Sequence, residues 1–168
     1  MSLKRKNIFR IFFVSAVMVL AGCQAIPLKQ GVSAAGEKIY LSDASELPKA
    51  IDSFSKSQDL TNEESKINYL IARVQKSKVG FVRNRAHYTS MEAAEFLRWK
   101  LDRPRWRPLV HSARDFVNII TKGSVTSGEP YRIILANGDH HDLKAIMVNE
   151  LGFLEEYLKN PSPPHALS

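Results

Sequence analysis

The chain has 168 residues and one cysteine, with 24 basic and 17 acidic residues. Four of the basic residues lie in the first ten, MSLKRKNIFR, so the remaining 20 exceed the acidic residues by only three. Nucleic-acid binding calls for a strong basic face, and so small a surplus argues against it. A lone cysteine also excludes an internal disulfide and a metal site built on a cysteine pair.

The first 22 residues have the layout of a secretory signal peptide, in which positive charges precede an apolar run. This run, residues 11–20, is about half as long as the roughly 20 residues that a membrane-spanning helix needs. It closes on LAGC, residues 20–23, which resembles the bacterial lipobox, where the cysteine sulfur receives a diacylglyceryl group. We therefore predict that Cys23 is the lipidation site and anchors the mature protein to a membrane of the bacterial cell envelope.

Gln24 bears on which membrane carries this anchor. It stands where an aspartate would signal retention in the inner membrane of enteric bacteria, so the predicted location is the outer membrane, facing the periplasm. Three acyl chains would make the attachment effectively permanent, since each buried methylene contributes about 0.8 kcal/mol. The alternative is a plain signal peptide that happens to contain a cysteine.

Residues 23–60 are interpreted as the acylated cysteine and a tether, because polar and small residues dominate and the apolar patches are short. About 37 flexible residues would have a root-mean-square span of roughly 35 Å and would let the domain stand clear of the membrane. Two patches, KIYLSD and LPKAIDSF, could instead form a short strand and helical turns that dock on the domain. Residues 159–168 hold three prolines, which favour an extended tail.

Residues 61–158 are predicted to form one globular domain of ordinary size. Thr61 and Glu64 have the spacing of a capping box and predict a helix that ends near Ser77. Its buried face follows from apolar residues at helical spacing. These residues are Ile67, Leu70, Ile71 and Val74.

Two further helices follow in the sequence. Thr89 and Glu92 repeat the capping box, while Ser112 or His111 can cap a third helix, which Gly123 would end. The predicted buried faces are Ala93, Ala94, Leu97 and Leu101 in one helix and Ala113, Phe116, Val117 and Ile120 in the other.

The segment PYRIILANGDHHDL changes to an alternating pattern. Asn137 and Gly138 tolerate positive φ and predict a type I′ turn between two strands. A last helix is predicted from Leu143 to Leu158. The fold class is therefore α+β, a small mainly helical domain of about four helices with one or two short antiparallel β-hairpins. The residues of the last helix expected to face inward are Ile146, Met147, Leu151, Leu154 and Leu158.

Six short motifs in the domain occur in a familiar order. They are INYLIARVQKS at 67–77, FVRN at 81–84, Tyr88, AAEFLRWK at 93–100, ARDFVNII at 113–120 and SGEPY at 127–131. Across residues 64–158 the chain thereby resembles the DUF5329 family of small exported proteobacterial proteins. The family has no established activity, so the resemblance implies an exported domain and no particular reaction.

The chain departs from the family pattern at three positions. Arg85 stands where the family has glycine, Phe96 where histidine is usual, and Val125 where a second serine is frequent. Positive φ costs an ordinary side chain about 1 kcal/mol or more, so Arg85 implies an altered or strained turn. Phe96 removes the most obvious acid–base candidate and makes catalysis less expected.

The segment GDHHD is the remaining candidate for chemistry. Asp139, His140, His141 and Asp142 are legitimate metal ligands, and Ser124 or Ser127 with His140 and Asp142 would make a hydrolase triad. Adjacent histidines on a strand point to opposite faces, which leaves at most two of the four ligands convergent. A solvated turn and strand edge is the simpler reading. We therefore assign no catalytic residue, no metal site and no cofactor.

The stretch RWKLDRPRWRP, residues 98–108, mixes cations with tryptophans, a combination enriched at binding hot spots. In the alternative interpretation one tryptophan closes the core and the arginines are merely solvated. Arg98 and Lys100 are expected to lie nearer solvent. The candidate binding surface comprises Arg98, Trp99, Arg103, Arg105, Trp106 and Arg107.

The expected function is a non-enzymatic binding or structural module of the cell envelope. Its partners would be the membrane, through the lipid anchor, and an envelope protein or an anionic polymer. If the first hairpin packs beside the basic helix, Arg83, Arg85 and His87 would extend the binding surface. The alternative function is a small periplasmic hydrolase or metal-dependent enzyme.

Overall fold

Two β-hairpins join edge to edge in the computed structural model, which describes residues 27–160. The strand order is β1-β5-β4-β2-β3, and among the described residues only the β1–β5 pair is parallel. The predicted α+β class is confirmed, although the sequence did not indicate that the hairpins share one sheet. The strands are β1 (Leu28–Lys29), β2 (Gly80–Arg83), β3 (Ala86–Tyr88), β4 (Arg132–Ile134) and β5 (His140–Asp142).

In residues 27–160, five helices pack with this sheet around one hydrophobic core. They are α1 (Leu47–Ser55), α2 (Glu63–Lys76), α3 (Ser90–Leu101), the short α4 (Ala113–Asp115), which continues as a π-helix (Phe116–Ile120), and α5 (Leu143–Lys159). Short 3₁₀ helices lie at Ala44–Glu46 and Arg107–Leu109. Of the helices between residues 27 and 160, none is both long and apolar enough to cross a bilayer.

Two of the predicted helix starts differ in outcome. The capping box before α3 is confirmed: the Thr89 hydroxyl accepts from the Glu92 amide at 3.3 Å, and the Glu92 carboxylate accepts from the Thr89 amide at 2.8 Å. The box predicted at Thr61 is wrong, because the Asn62 side chain accepts from the Glu64 amide at 2.8 Å and starts α2 at Glu63. Asparagine is at least as good an N-cap as threonine and lies one residue nearer the helix.

The third predicted helix begins as expected and ends early. Ser112 caps it by accepting from the Asp115 amide at 3.1 Å. The helix ends at Ile120, not at Gly123, and Thr121 donates its hydroxyl back to the Val117 carbonyl. A Cβ on Gly123 would lie 2.6 Å from the Glu129 carbonyl oxygen, so this glycine permits a close approach between two chain segments.

The predicted buried faces of α2, α3 and the helix that begins at Ala113 are confirmed. In α5 the inward residues are also buried except Leu158, which is 36% exposed. That prediction is wrong because the last turn of α5 is largely exposed to solvent. The prediction for Lys100 is wrong in the opposite sense, because this residue is only 4% exposed instead of lying near solvent.

The first hairpin turn has the strain expected at Arg85, whereas the second is not the predicted type I′ turn. Asn84 and Arg85 have φ of 50° and 65° and form the two-residue turn between β2 and β3, so Arg85 is in the strained left-handed region. The turn at Asn137 is not type I′, because only Gly138 there has positive φ. The Asn137 side chain accepts from the Asp139 amide at 3.0 Å, which favours a three-residue loop over a two-residue one.

The interpretation of residues 23–60 as a tether is wrong for residues 28–60, which pack on the domain. Leu41, Leu47, Ile51 and Leu60 are buried in this segment. The apolar residues are few, but α1 buries Leu47 and Ile51, so the docking alternative is correct for the helical turns of LPKAIDSF. The short strand considered at KIYLSD is absent from the described residues, and the strand of this segment is Leu28–Lys29. Cys23, the signal peptide and the tail from residue 161 onward lie outside the described residues.

Polar groups of α5 and α2 hold this N-terminal segment in place. Arg73 and Glu150 form a buried ion pair with 2.9 Å between Nε and Oε2. The same carboxylate accepts from the Leu41 amide at 2.8 Å, and Arg73 donates to the Ser42 hydroxyl at 2.8 Å. The Asn149 side chain donates to two further backbone carbonyls, those of residues 31 and 39.

Candidate functional site

Two arginines and two aromatic rings form one continuous stack beside α3. Phe96 and Trp99 are one helical turn apart, with ring centroids 5.7 Å apart and planes at 29°. The Arg83 guanidinium carbon lies 4.0 Å from the Phe96 ring centroid, and that of Arg103 lies 4.0 Å from the Trp99 centroid. Both distances are well inside the range of cation–π attraction. We call these four residues the aromatic–arginine stack.

Three members of this stack, Arg83, Phe96 and Trp99, line a cavity of about 300 Å³ between α3 and the β2–β3 hairpin, here called the α3–hairpin cleft. Its wall is mainly apolar, and Trp99 is 51% exposed at its edge. The buried Nε of Arg83 has no hydrogen-bond partner among residues 27–160. The cleft therefore combines apolar contact area with the Arg83 guanidinium, which lies on the Phe96 ring, while Arg103 lies on the Trp99 ring beside the cleft. Its other lining residues include Phe81, Tyr88, Leu97, Tyr131, Glu92, Glu95 and Arg132.

The predicted binding surface divides into two parts. Trp99 and Arg103 belong to the aromatic–arginine stack, whereas Trp106 is half-buried against the core on a separate cavity. Arg105 lies 4.8 Å from the Trp106 ring centroid. Trp106 thus packs on the core, as the alternative interpretation expects of one tryptophan, whereas Trp99 is exposed and its role in binding stays a prediction. Arg98 and Arg107 are exposed and have neither an ion pair nor a ring contact within the described part of the chain.

The predicted binding surface does not include Phe96 and includes Arg83 only as an extension from the first hairpin. Phe96 was valued only as the loss of a histidine, but its ring is the platform on which Arg83 lies. Arg83 was proposed to extend the basic surface if the hairpin packed beside the helix, and the hairpin does so. The spacing of Phe96 and Trp99, three residues apart on a helix, was the available signal for a shared ring face.

Lys100 forms a second unusual feature next to this stack. Its ammonium donates to the Ile120 carbonyl at 2.7 Å, the Gly123 carbonyl at 3.0 Å and the Tyr131 hydroxyl at 3.2 Å. The first two acceptors lie at and just beyond the end of the π-helix, where carbonyls lack helical partners. Burial, assisted by the charge of Arg83, lowers the pKa of Lys100 to about 8. No carboxylate within residues 27–160 forms a salt bridge with it.

Lys100 lies in a larger cavity of about 890 Å³, here called the Lys100 groove. The groove runs between the loop after α3, the loop after the π-helix, and the first turns of α5. It shares no lining residue with the α3–hairpin cleft. The two cavities can therefore be altered separately by substitution.

The GDHHD segment is occupied by structural contacts. Asp139 pairs with Lys29 of the neighbouring strand at 2.6 Å, and Asp142 caps α5 by accepting from the Lys144 amide. His141 is buried, which lowers its pKa, and His140 is only partly buried, as strand alternation predicts. Within the described residues, no three potential ligands converge on a common metal position.

The serines predicted as alternative nucleophiles also have local roles. The Ser124 hydroxyl accepts from the Ser127 amide at 3.4 Å, and the Ser127 hydroxyl donates to the Asn84 side chain at 2.8 Å. In the part of the chain that the structure describes, neither serine is hydrogen-bonded to His140 or His141. The structure thus does not assemble the serine–histidine pair that a hydrolase would need.

Comparison with known sequences bears on residues 61–155, which match the sequence model of DUF5329, described as a family of unknown function. The match covers more than half of the chain and includes the whole aromatic–arginine stack. β1 and α1 lie outside it. No curated protein and no solved structure matches the chain.

Proposed function

The chain belongs to the DUF5329 family, as its motifs indicated, and from its own geometry we propose a non-enzymatic binding module of the bacterial cell envelope. The protein is anchored by acyl chains on Cys23 and faces the periplasm from the outer membrane. Its α3–hairpin cleft binds an anionic polymer. The observation that carries the proposal is the aromatic–arginine stack, which presents two guanidinium groups beside an apolar cavity.

The stack favours binding because its cations are already ordered. A guanidinium that lies on a ring loses less side-chain freedom on binding an anion than a solvated lysine does. Arg83 is only partly buried and lines the cleft, and carboxylates accept readily from guanidinium groups. Glu92, which also lines the cleft, is committed to the helix cap through Thr89.

A polymer with carboxylate groups on sugar rings matches both properties of the cleft. Its carboxylates would contact Arg83 and Arg103, and the apolar faces of its rings would pack on the aromatic wall. Small, largely preformed and mainly apolar cavities with a few convergent polar groups are typical ligand sites. In this interpretation Phe96 contributes a packing surface where a histidine would contribute a proton.

Charge reversal at two exposed arginines tests the proposed binding site. Affinity of the mature protein for polygalacturonate would be measured against neutral dextran over a range of salt concentrations. We expect Arg103→Glu to weaken binding much more than Arg107→Glu, which changes the net charge equally but lies outside the stack. Equal losses in the two variants, or no preference for the acidic polymer, would contradict the proposal.

The lipid anchor is tested at the cysteine itself. Cys23→Ser removes the sulfur that would receive the diacylglyceryl group, so palmitate labelling and partitioning into detergent should both be lost. A chain that keeps both properties after the substitution is not a lipoprotein anchored at Cys23. The result is independent of polymer binding, which is measured in solution.

A further inference from the structure

The first strand lies close in sequence to the proposed anchor. β1 begins at Leu28, five residues after Cys23, and five residues span at most roughly 18 Å when fully extended. If Cys23 is acylated as proposed above, this strand is bound to the domain within that distance of the membrane. The domain then lies near the bilayer, in contrast to the long stand-off that a flexible tether would give.

β1 is a strand of the sheet, so its position determines which face of the domain lies nearest to the anchor. It pairs in parallel with β5, and its Lys29 forms the ion pair with Asp139. The next residue, Gln30, lines the Lys100 groove. Gln30 is the seventh residue after Cys23, which limits the distance between groove and anchor to roughly 25 Å.

The rim of the groove is unusually apolar for an exposed surface. Leu109, Val125 and Val148 are each between 50% and 55% exposed and line it from three separate segments. Scattered exposed apolar side chains need no explanation, but a cluster around one cavity marks an interaction site. These three are part of the small set of large apolar side chains that the described residues leave exposed.

The charges of the groove are mostly positive. Lys122 and Lys144 line it together with Lys100, and neither has an ion-pair partner within residues 27–160. The carboxylate of Asp142 is occupied as the cap of α5. An apolar rim with lysines is suited to a bilayer surface, where hydrocarbon meets anionic phosphate groups.

We propose that the rim of the Lys100 groove is the surface through which the domain contacts the membrane that carries its lipid anchor. Leu109, Val125 and Val148 enter the boundary between headgroups and acyl chains, and Lys122 and Lys144 contact the phosphates of anionic phospholipids. This inference rests on the proposed anchor at Cys23. The α3–hairpin cleft, which uses other residues, remains available for the polymer.

Vesicle binding without the anchor tests the groove alone. The mature chain carrying Cys23→Ser would be sedimented with vesicles of phosphatidylglycerol and phosphatidylethanolamine, or of phosphatidylcholine only. We expect binding to the anionic vesicles, weakened at least about tenfold by Lys122→Glu with Lys144→Glu. The control, Lys56→Glu with Lys76→Glu, makes the same charge change on exposed lysines outside the groove and should have a smaller effect. Equal losses, or no binding by the parent chain, would overturn the proposal.

The apolar rim is tested in the same assay and by fluorescence. Val125→Ser should weaken vesicle binding about threefold, and Met91→Ser, at a similarly exposed apolar residue outside the groove, should not.

In the acylated protein, Trp99→Phe leaves Trp106 as the sole tryptophan, at the groove. Brominated phospholipids should quench its emission, and an unquenched Trp106 would contradict the membrane contact. Because palmitate labelling tests the anchor separately, failure of the groove and failure of the anchor are distinguishable.

Discussion

Arg73 and Lys100 are both buried cations, and they are stabilised in different ways. Arg73 forms a bidentate contact with the buried carboxylate of Glu150, at 2.9 and 3.3 Å, so charge is balanced by charge. Within residues 27–160 the partners of Lys100 are two carbonyls, one hydroxyl and nearby rings, so its charge is balanced by dipoles. The comparison shows that the ion pair joins distant parts of the chain, whereas the lone ammonium ties α3 to a neighbouring loop.

The difference also appears in the contacts that each site makes with the N-terminal segment. Glu150 accepts from the Leu41 amide, and Arg73 donates to the Ser42 hydroxyl. The ion pair therefore makes all of its hydrogen bonds only when residues 41–42 are packed on it. Lys100 makes no such contact among the described residues. The Arg73 site therefore couples residues 28–60 to the family-matched domain, and the Lys100 site stabilises that domain from within.

Removal of residues 24–58 should have the largest effect on stability. It exposes the core side chains that pack against Leu41 and Ile51. It also removes the Leu41 amide and the Ser42 hydroxyl, which form hydrogen bonds with the buried ion pair. We expect the shortened chain to unfold at a midpoint at least about 10 °C lower, or not to fold, since several core contacts are lost together. Thermal unfolding followed by circular dichroism would measure this. An unchanged midpoint would show that the segment contributes as little as a tether.

Glu150→Ala should cause the next largest loss in the free energy of unfolding. The substitution leaves the Arg73 guanidinium buried without its counter-charge and the Leu41 amide without its acceptor. Breaking one partner of a buried pair costs roughly 3–5 kcal/mol. Urea unfolding would give the change in free energy. Glu155→Ala is a suitable control, because its pair with Arg114 is exposed and should contribute less than about 1 kcal/mol.

These two sites also show how far the sequence can be interpreted. Apolar spacing and caps predicted α2, α3 and α5 because each element carries its own signal over many residues. β1 has only two residues, and the buried pair links positions 77 residues apart, so no local pattern announces either. Lys100 lies beside apolar positions of α3, but its acceptors come from residues 120, 123 and 131, which only the folded chain brings near.

The candidate site was predictable to a similar extent. Trp99 and Arg103 were identified because rings and cations alternate within one short stretch of sequence. Arg83 reaches the same stack from a hairpin that precedes α3, and the pairing of that hairpin with α3 depends on tertiary packing. The exposed state of Trp99 and the half-buried state of Trp106 could not be distinguished from composition alone.

Trp106→Ala should have a moderate effect that reports on the Lys100 site. The Trp106 ring lies 5.3 Å from the ammonium and is half-buried against the core. Its removal should cost about 1–3 kcal/mol, less than a fully buried tryptophan would. It should also admit water to Lys100 and raise the pKa of that amine from about 8 towards its ordinary value. Chemical labelling of Lys100 as a function of pH would detect the shift, and Trp99→Ala, at the more exposed ring, should leave it unchanged.

The pH dependence of stability should show the smallest effect and separates the two cations most directly. Burial lowers the pKa of Lys100 in the folded chain to about 8, below the ordinary 10.5, so the unfolded chain binds this proton more tightly. Between those two values the unfolded state holds more protons, and the free energy of unfolding therefore rises with pH. The full cost of burying the charge applies below pH 8.

Tyrosines set the upper limit of that measurement. Burial raises the pKa of Tyr131, so above about pH 10 this phenol stays protonated in the folded chain while it ionises in the unfolded chain, and stability falls. Between pH 8 and 9.5 we expect the free energy of unfolding to rise on the order of 1 kcal/mol in the parent chain and to stay flat in Lys100→Met. Urea unfolding at several pH values measures both. A parent chain as flat as the variant would mean that the three hydrogen bonds of Lys100 keep its pKa near the ordinary value, and that dipoles can replace a carboxylate at this buried position.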